Sequence, residues 1–184
     1  MLGLNNIIDM VSSSGAISGI DGRVEIWSRA IYMIQDFAFT GVGMGTFGDV
    51  ADLLYPFFLY APGTIPHAHN LFLQIAVDLG VMGLVAWLAI VIGVLITAWQ
   101  LYKTTSGENK TISQAIGVGM MGSVIALLEQ GILDAVTWGM VRPAPIVWVI
   151  WGTCIAAWYV YVDHDRLDSK SEDPILLREN PLNQ

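Results

Sequence analysis

The sequence predicts an all-α integral membrane protein: a helical extramembrane loop segment over residues 1–78, then three transmembrane helices. Two observations about charge and one about order predict it. Hydrophobic residues make up 54% of the chain and charged residues 13%, about half of the roughly 25% usual in a soluble domain. The remaining charges leave uncharged stretches at 79–102, 111–128 and 143–162. A helix needs about 20 mostly apolar residues to cross a bilayer core of about 30 Å, so spans are predicted at about 79–102, 112–133 and 143–162. The first of them comes only after a long and more polar segment. A polar tail, 163–184, closes the chain and is expected to be solvated and disordered.

Within the first segment, residues 1–20 read as loop, with Ser12, Ser13, Ser14 and Gly15 interrupting weak apolar clusters. Asp21 suits the N-cap of a helix running to about Phe39. Val24, Trp27, Ile31, Ile34 and Ala38 recur at helical spacing, with Glu25, Ser28, Arg29, Gln35 and Asp36 off that stripe. Such a helix lies against other protein or on a membrane surface and is too polar to span. The run Gly41-Val42-Gly43-Met44-Gly45 breaks it with a tight turn. Tyr55 to Tyr60 is short and aromatic, which suits the headgroup belt. Pro62 and Pro66 bracket a turn before His67-Ala68-His69-Asn70, and from Asn70 a helix is expected to flow through Gly80 and Gly83 into the first span.

Lys103 to Thr111 is a short polar connector, so the first two spans form an antiparallel hairpin; Asp134 to Arg142 leads to the third. Trp87, Trp99, Trp138, Trp148, Trp151 and Trp158 read as membrane anchors and packing residues, and Cys154 as a small apolar packing residue. Lys103 and Lys110 in the first connector, with Arg166, Lys170 and Arg178 in the tail, outnumber Arg142 in the second connector. Basic residues favour the cytoplasmic side, which puts the first connector and tail inside and the N-terminal loop outside. The net charge of −8 argues against nucleic acid, which calls for a basic face.

The chemistry-bearing stretch runs from His67 to Gly83. In a helix starting near Asn70, the spacing of Asn70, Gln74 and Asp78 makes one polar stripe, and Leu71, Ile75, Leu79 and Met82 an apolar one. His69 sits at the helix mouth, where unpaired N–H groups and the dipole favour an anion. A histidine there can act as general base on a hydroxyl; the same residues also suit a histidine and an asparagine capping a helix at an interface. His67 and His69 invite a metal, but Pro66 argues against a regular strand and no third ligand stands at a familiar spacing, so no metal or other cofactor is expected. Arg23 and Arg29 are the arginines of the outer segment. A guanidinium fork suits a pyrophosphate, whereas pairing with Glu25 or Asp36 on a solvated face would occupy it. Glu129 and Asp134, at the outer end of the second span, are costly at membrane depth, unless they reach interfacial water or pair with Arg142.

Three elements in order, Gly22-Arg23-x-x-x-Trp27, Gly41-x-Gly43-x-Gly45-x-Phe47 and His67-Ala68-His69-Asn70, resemble the O-antigen ligase-related membrane proteins. Ligases of that family carry a His-Asn pair, nine residues, then Gly-x-x-Gly; here His69-Asn70 is followed by Leu71 to Leu79 and Gly80-x-x-Gly83. The resemblance covers about residues 20–100. It implies the C-terminal portion of a GT-C-like polytopic glycosyltransferase of the bacterial inner membrane. Such enzymes move a glycan from an undecaprenyl-pyrophosphate carrier to an acceptor hydroxyl on a lipid A core, a glycan or a protein. By that analogy His69 activates the acceptor hydroxyl and Arg23 holds the donor pyrophosphate, with His67, Asn70 and Gln74 completing substrate binding and no metal taking part. Family members have further spans N-terminal to this region and a second functional arginine among them. The resemblance therefore implies a partner half, without which this chain alone is not expected to be active. The competing expectation is a non-catalytic membrane transport or assembly component that keeps the loop as scaffold.

Overall fold

The computed structural model describes residues 20–104, 109–135, 137–139 and 144–163. Among them the fold is all-helical: α1 (Ile20–Asp36), α2 (Phe47–Leu54), α3 (Leu71–Thr104), α4 (Lys110–Leu133) and α5 (Ala144–Trp158), the last closing in a wider π turn, Tyr159–Asp163. The expected loop at 1–19, the polar tail from 164 with Arg166, Lys170 and Arg178, and Arg142 lie outside the described residues. Three helices are long and apolar enough to cross a membrane: Leu71–Lys103, Lys110–Leu133 and Ala144–Val162. The described residues fall into two compact units, divided at 86/87, 129/130 and 144/145.

In the first unit α1 begins at Ile20, so Asp21 lies in its first turn instead of capping it. Its buried face is Ile26, Ala30 and Met33, flanked by partly buried Trp27 and Ile34, and these pack with Phe47, Ala51, Ala68 and Val77. The expected stripe is therefore rotated: Val24 and Ile31 point outward. Both faces of α1 carry apolar residues, and the covered one is the face that meets Phe47, Ala51, Ala68 and Val77. Glu25 secures the loop after α2, its carboxylate accepting the N–H groups of Phe58 and Leu59 at 2.7 and 3.0 Å. The Tyr55 hydroxyl donates to Asp36; chiefly that bond, with burial and the carboxylate charge adding, pushes its pKa up to about 12.

The largest departure from the expected helix is at Gly80, where φ 72 and ψ 178 interrupt α3. The freed carbonyls are not orphaned. Val77 and Asp78 carbonyls accept the N–H groups of Val42 and Gly43 at 2.8 and 3.1 Å, and Val81 N–H donates to the Ala38 carbonyl at 2.7 Å. The two glycine motifs thus meet backbone to backbone, which satisfies buried polar groups that otherwise cost about 1–3 kcal/mol each. The break also ends the predicted apolar stripe. Leu71 and Ile75 are buried, whereas Leu79 and Met82 face outward.

In the second unit the end of α3 and the start of α4 form the antiparallel hairpin expected from the short connector. Ser113 Oγ donates to the Leu101 carbonyl at 2.7 Å and Gln114 Nε2 to that of Tyr102 at 3.2 Å. Gly117 lets the helices close up, since a Cβ there would stand 2.6 Å from the Ala98 carbonyl oxygen. Trp87 meets Trp151 with ring centroids 6.3 Å apart, and Trp158 Nε1 donates to Gln100 Oε1 at 2.6 Å, so α5 runs parallel to α3. Trp87 and Trp151 are buried packing residues, while Trp99 is exposed with Lys103 above its ring. Cys154 is buried, as expected of a packing residue.

Candidate functional site

The site is built by the loop between α2 and α3. Gly63 N–H donates to Asp52 at 2.6 Å, and Gly48 leaves room for the Ile65 carbonyl, which a Cβ would approach to 2.9 Å. The next anchor is Ala68, fully buried, whose N–H donates to Gln74 Oε1 at 2.7 Å. Ala68 sits in the core, whereas the side chains of His67 and His69 on either side of it stay partly exposed. His69 then takes a left-handed backbone, φ 47, a conformation uncommon outside glycine and often found where function holds a residue in place. This turn folds the two rings together, with centroids 4.2 Å apart. His69 N–H donates to His67 Nδ1 at 3.3 Å.

Asn70 ends the loop. Its Oδ1 accepts the N–H of Leu73 at 2.9 Å, the expected N-cap bond, and its Nδ2 donates to the Ile132 carbonyl at 2.9 Å. The second bond ties the last turn of α4 to the loop and places Asp134, just after that helix, beside both histidines. Its Oδ1 lies 3.5 Å from His69 Nδ1 and 3.9 Å from His67 Nδ1, and also accepts Ala135 N–H at 2.7 Å. His67, His69 and Asp134 each offer one ligand atom, all within 4.8 Å of one another, so the third ligand missing from the local sequence comes from beyond α4. Burial, and then the neighbouring His69, lower the His67 pKa, with Asp134 opposing; His67 is therefore neutral at pH 7. Glu129 is exposed and is not one of the residues that make up this cluster.

The polar stripe on α3 is real and turned inward. Gln74 and Asp78 are 4% and 2% exposed. Gln74 Nε2 donates to Asp78 Oδ1 at 2.8 Å, and Trp138 Nε1 to Asp78 Oδ2 at 3.0 Å, so this network is internally satisfied. Trp138, read from sequence as an anchor, belongs to the site.

Two cavities open beside the histidines. One, of about 250 Å³, is lined by Arg23, Ile26, Tyr60, Ile65 and His69. The other, of about 290 Å³, includes His67, Gln74, Asp78 and Trp138 in its wall. The arginines separate cleanly. Arg29 lies 3.6 Å from Glu25 and over the Phe58 ring, and Asp36 takes the Tyr55 hydroxyl. Arg23 faces the cavity it shares with His69.

The fold is that of a membrane protein whose polar residues gather in the loop ahead of its apolar helices. The family model described as O-antigen ligase matches residues 2–88. Over that stretch, just under half of the chain, the protein is similar to the O-antigen ligase family. The match takes in Arg23, both glycine motifs and the two histidines; Asp134 and Trp138 lie beyond it. No curated protein and no solved structure matches the chain.

Proposed function

We propose that this chain forms the acceptor-activating part of a ligase or polymerase that transfers a glycan from undecaprenyl-pyrophosphate to an acceptor hydroxyl at the outer face of a bacterial inner membrane. The observation that carries this reading is the cavity shared by Arg23 and His69. An arginine presents a planar fork to a pyrophosphate, and a histidine beside it stands where the acceptor oxygen must attack. In the step, the acceptor oxygen forms a bond to the anomeric carbon and the bond from that carbon to the pyrophosphate oxygen breaks. The acceptor proton passes to His69 Nε2, and the leaving pyrophosphate keeps its electron pair against Arg23. Asp134, facing Nδ1, orients the ring with its proton on that side and stabilises the imidazolium that forms, as a carboxylate does for a catalytic histidine elsewhere. His67 and Gln74 face the second cavity and take the acceptor side. Asn70 contributes by capping α3 and tying the loop to Ile132.

The donor assignment is tested in membranes containing the full-length protein, with transfer measured against donor concentration. Charge-assisted hydrogen bonds contribute about 1.5–3 kcal/mol, so Arg23→Ala is expected to raise the donor KM by about 10- to 100-fold and Arg23→Lys by less. A donor KM unchanged in Arg23→Ala would remove this arginine from the binding site.

A further inference from the structure

We propose that His67, His69 and Asp134 form a binding site for a late first-row divalent metal ion such as Zn2+, and that a bound ion blocks proton transfer at His69. The site stands on geometry alone; the block rests on the reading of His69 as the base.

The three donor atoms lie within 4.8 Å of one another, with His69 and His67 Nδ1 at 3.5 and 3.9 Å from Asp134 Oδ1. Tetrahedral zinc holds nitrogen and oxygen at about 2.0–2.2 Å, which sets ligand atoms about 3.3–3.5 Å apart. The two histidine-to-aspartate separations, 3.5 and 3.9 Å, need to close by at most about half an ångström, and the histidine pair, within 4.8 Å, by up to about 1.5 Å, which side-chain rotation can supply. Two imidazoles with one carboxylate select Zn2+, Co2+, Ni2+ or Cu2+ over Mg2+ and Ca2+, which prefer oxygen ligands. The supports around the ligands are already in place. Ala135 N–H fixes the Asp134 carboxylate, buried Ala68 fixes the two histidines, and the Asn70 bond to Ile132 holds the two segments together. Such outer contacts orient metal ligands. Among the described residues, the one protein bond to be given up at the imidazoles is the long one from His69 N–H to His67 Nδ1, at 3.3 Å. All three side chains are partly exposed, so water can complete the shell.

The consequence follows from the ring chemistry. With a metal on Nδ1, the neutral imidazole keeps its proton on Nε2, the atom that would receive the proton of the acceptor hydroxyl. The ion also displaces the Asp134 contact that favours the imidazolium.

The probe is Co2+, titrated into the full chain in lipid nanodiscs and followed by its visible d–d absorption. A single tightly bound Co2+ with intense tetrahedral-type bands, displaced by Zn2+, is expected. His67→Ala and Asp134→Asn should each weaken it by about tenfold or more, since even outer-shell changes cost about 10- to 100-fold, and Glu129→Gln should leave it unchanged. Because a lost signal can reflect a lost fold, His67→Cys supplies a gain: its thiolate should add a sulfur-to-cobalt charge-transfer band in the near ultraviolet. Absent bands in the parent chain, undiminished affinity in the two ligand variants, or no charge-transfer band in His67→Cys would each overturn the site. In membranes with the full-length protein, Zn2+ should suppress transfer and a chelator restore it; transfer untouched by saturating Zn2+ overturns the block. Metal binding with full transfer by His69→Ala would sink the base assignment and leave the site standing. No metal binding with loss of transfer in His69→Ala would do the reverse.

Discussion

Replacing His69 with alanine, in membranes that hold the full-length protein, is expected to lower glycan transfer by about 10²–10⁴-fold, the usual contribution of a positioned general base. The loss should fall on kcat, because in the proposed step His69 takes the acceptor proton while Arg23 binds the donor. The protein should still fold, since the His69 ring is partly exposed and the loop is pinned by Ala68 and Asn70 on either side. Added imidazole should recover part of the rate by entering the space the ring leaves. Asp134→Asn should cost less than His69→Ala, because Asp134 is a positioning residue that acts through the histidine, and it should leave the donor KM alone. Transfer by His69→Ala at the parent rate would contradict the assignment.

Gly41→Ala is expected to prevent the first unit from folding. A Cβ on Gly41 would stand 2.3 Å from the Asp78 carbonyl oxygen and 2.7 Å from the Gly80 nitrogen. Both are backbone atoms of the segment that receives the Val42 and Gly43 hydrogen bonds, so no side-chain rotation relieves the clash. Left-handed backbone at φ +64 adds its own strain, and the sum should exceed about 4 kcal/mol, the range reserved for a few severe mechanisms. Gly63→Ala separates the two contributions. Its φ is +76, yet nothing lies within 4 Å of the added carbon, so only the strain of about 1–2 kcal/mol remains. Thermal melting in detergent should show a modest loss for Gly63→Ala and no folded, monodisperse protein for Gly41→Ala. Equal melting of the two variants would mean that the contact between the glycine motifs does not hold the fold together.

Much of the architecture was legible because a bilayer demands long uncharged stretches, and these can be read without knowing any contact. The hairpin of α3 and α4 followed from the same logic applied to a short connector. The phase of α1 was not legible. Ile26, Ala30 and Met33 compete with Val24 and Ile31 for the core, and the outcome depends on α2 and the loop before α3. The break in α3 was hidden for a similar reason. A glycine inside an apolar run is ordinarily tolerated in a helix, and only the approach of residues 38–43 forces Gly80 out of it. His69 and Arg23 were singled out through their motifs, and the structure adds that both line one cavity. Asp134 and Trp138 could not be assigned from sequence, because their partners are brought to them by the Asn70 bond and the Asp78 network across some sixty residues of chain. The inward turn of Gln74 and Asp78 had a signal in their spacing of four, but spacing does not say which side of a helix is buried.

Arg23 and His69 line one cavity, which in the proposed function takes the carrier pyrophosphate. The most direct test of that role is photo-crosslinking in membranes of the full-length protein, using a polyprenyl pyrophosphate with a diazirine in its first isoprene unit. Labelled peptides are expected from α1 around Arg23 and from the loop around His69, with labelling that unlabelled undecaprenyl-pyrophosphate competes away and that Arg23→Ala weakens. Labelling confined to α4 or α5 and undiminished in Arg23→Ala would contradict it.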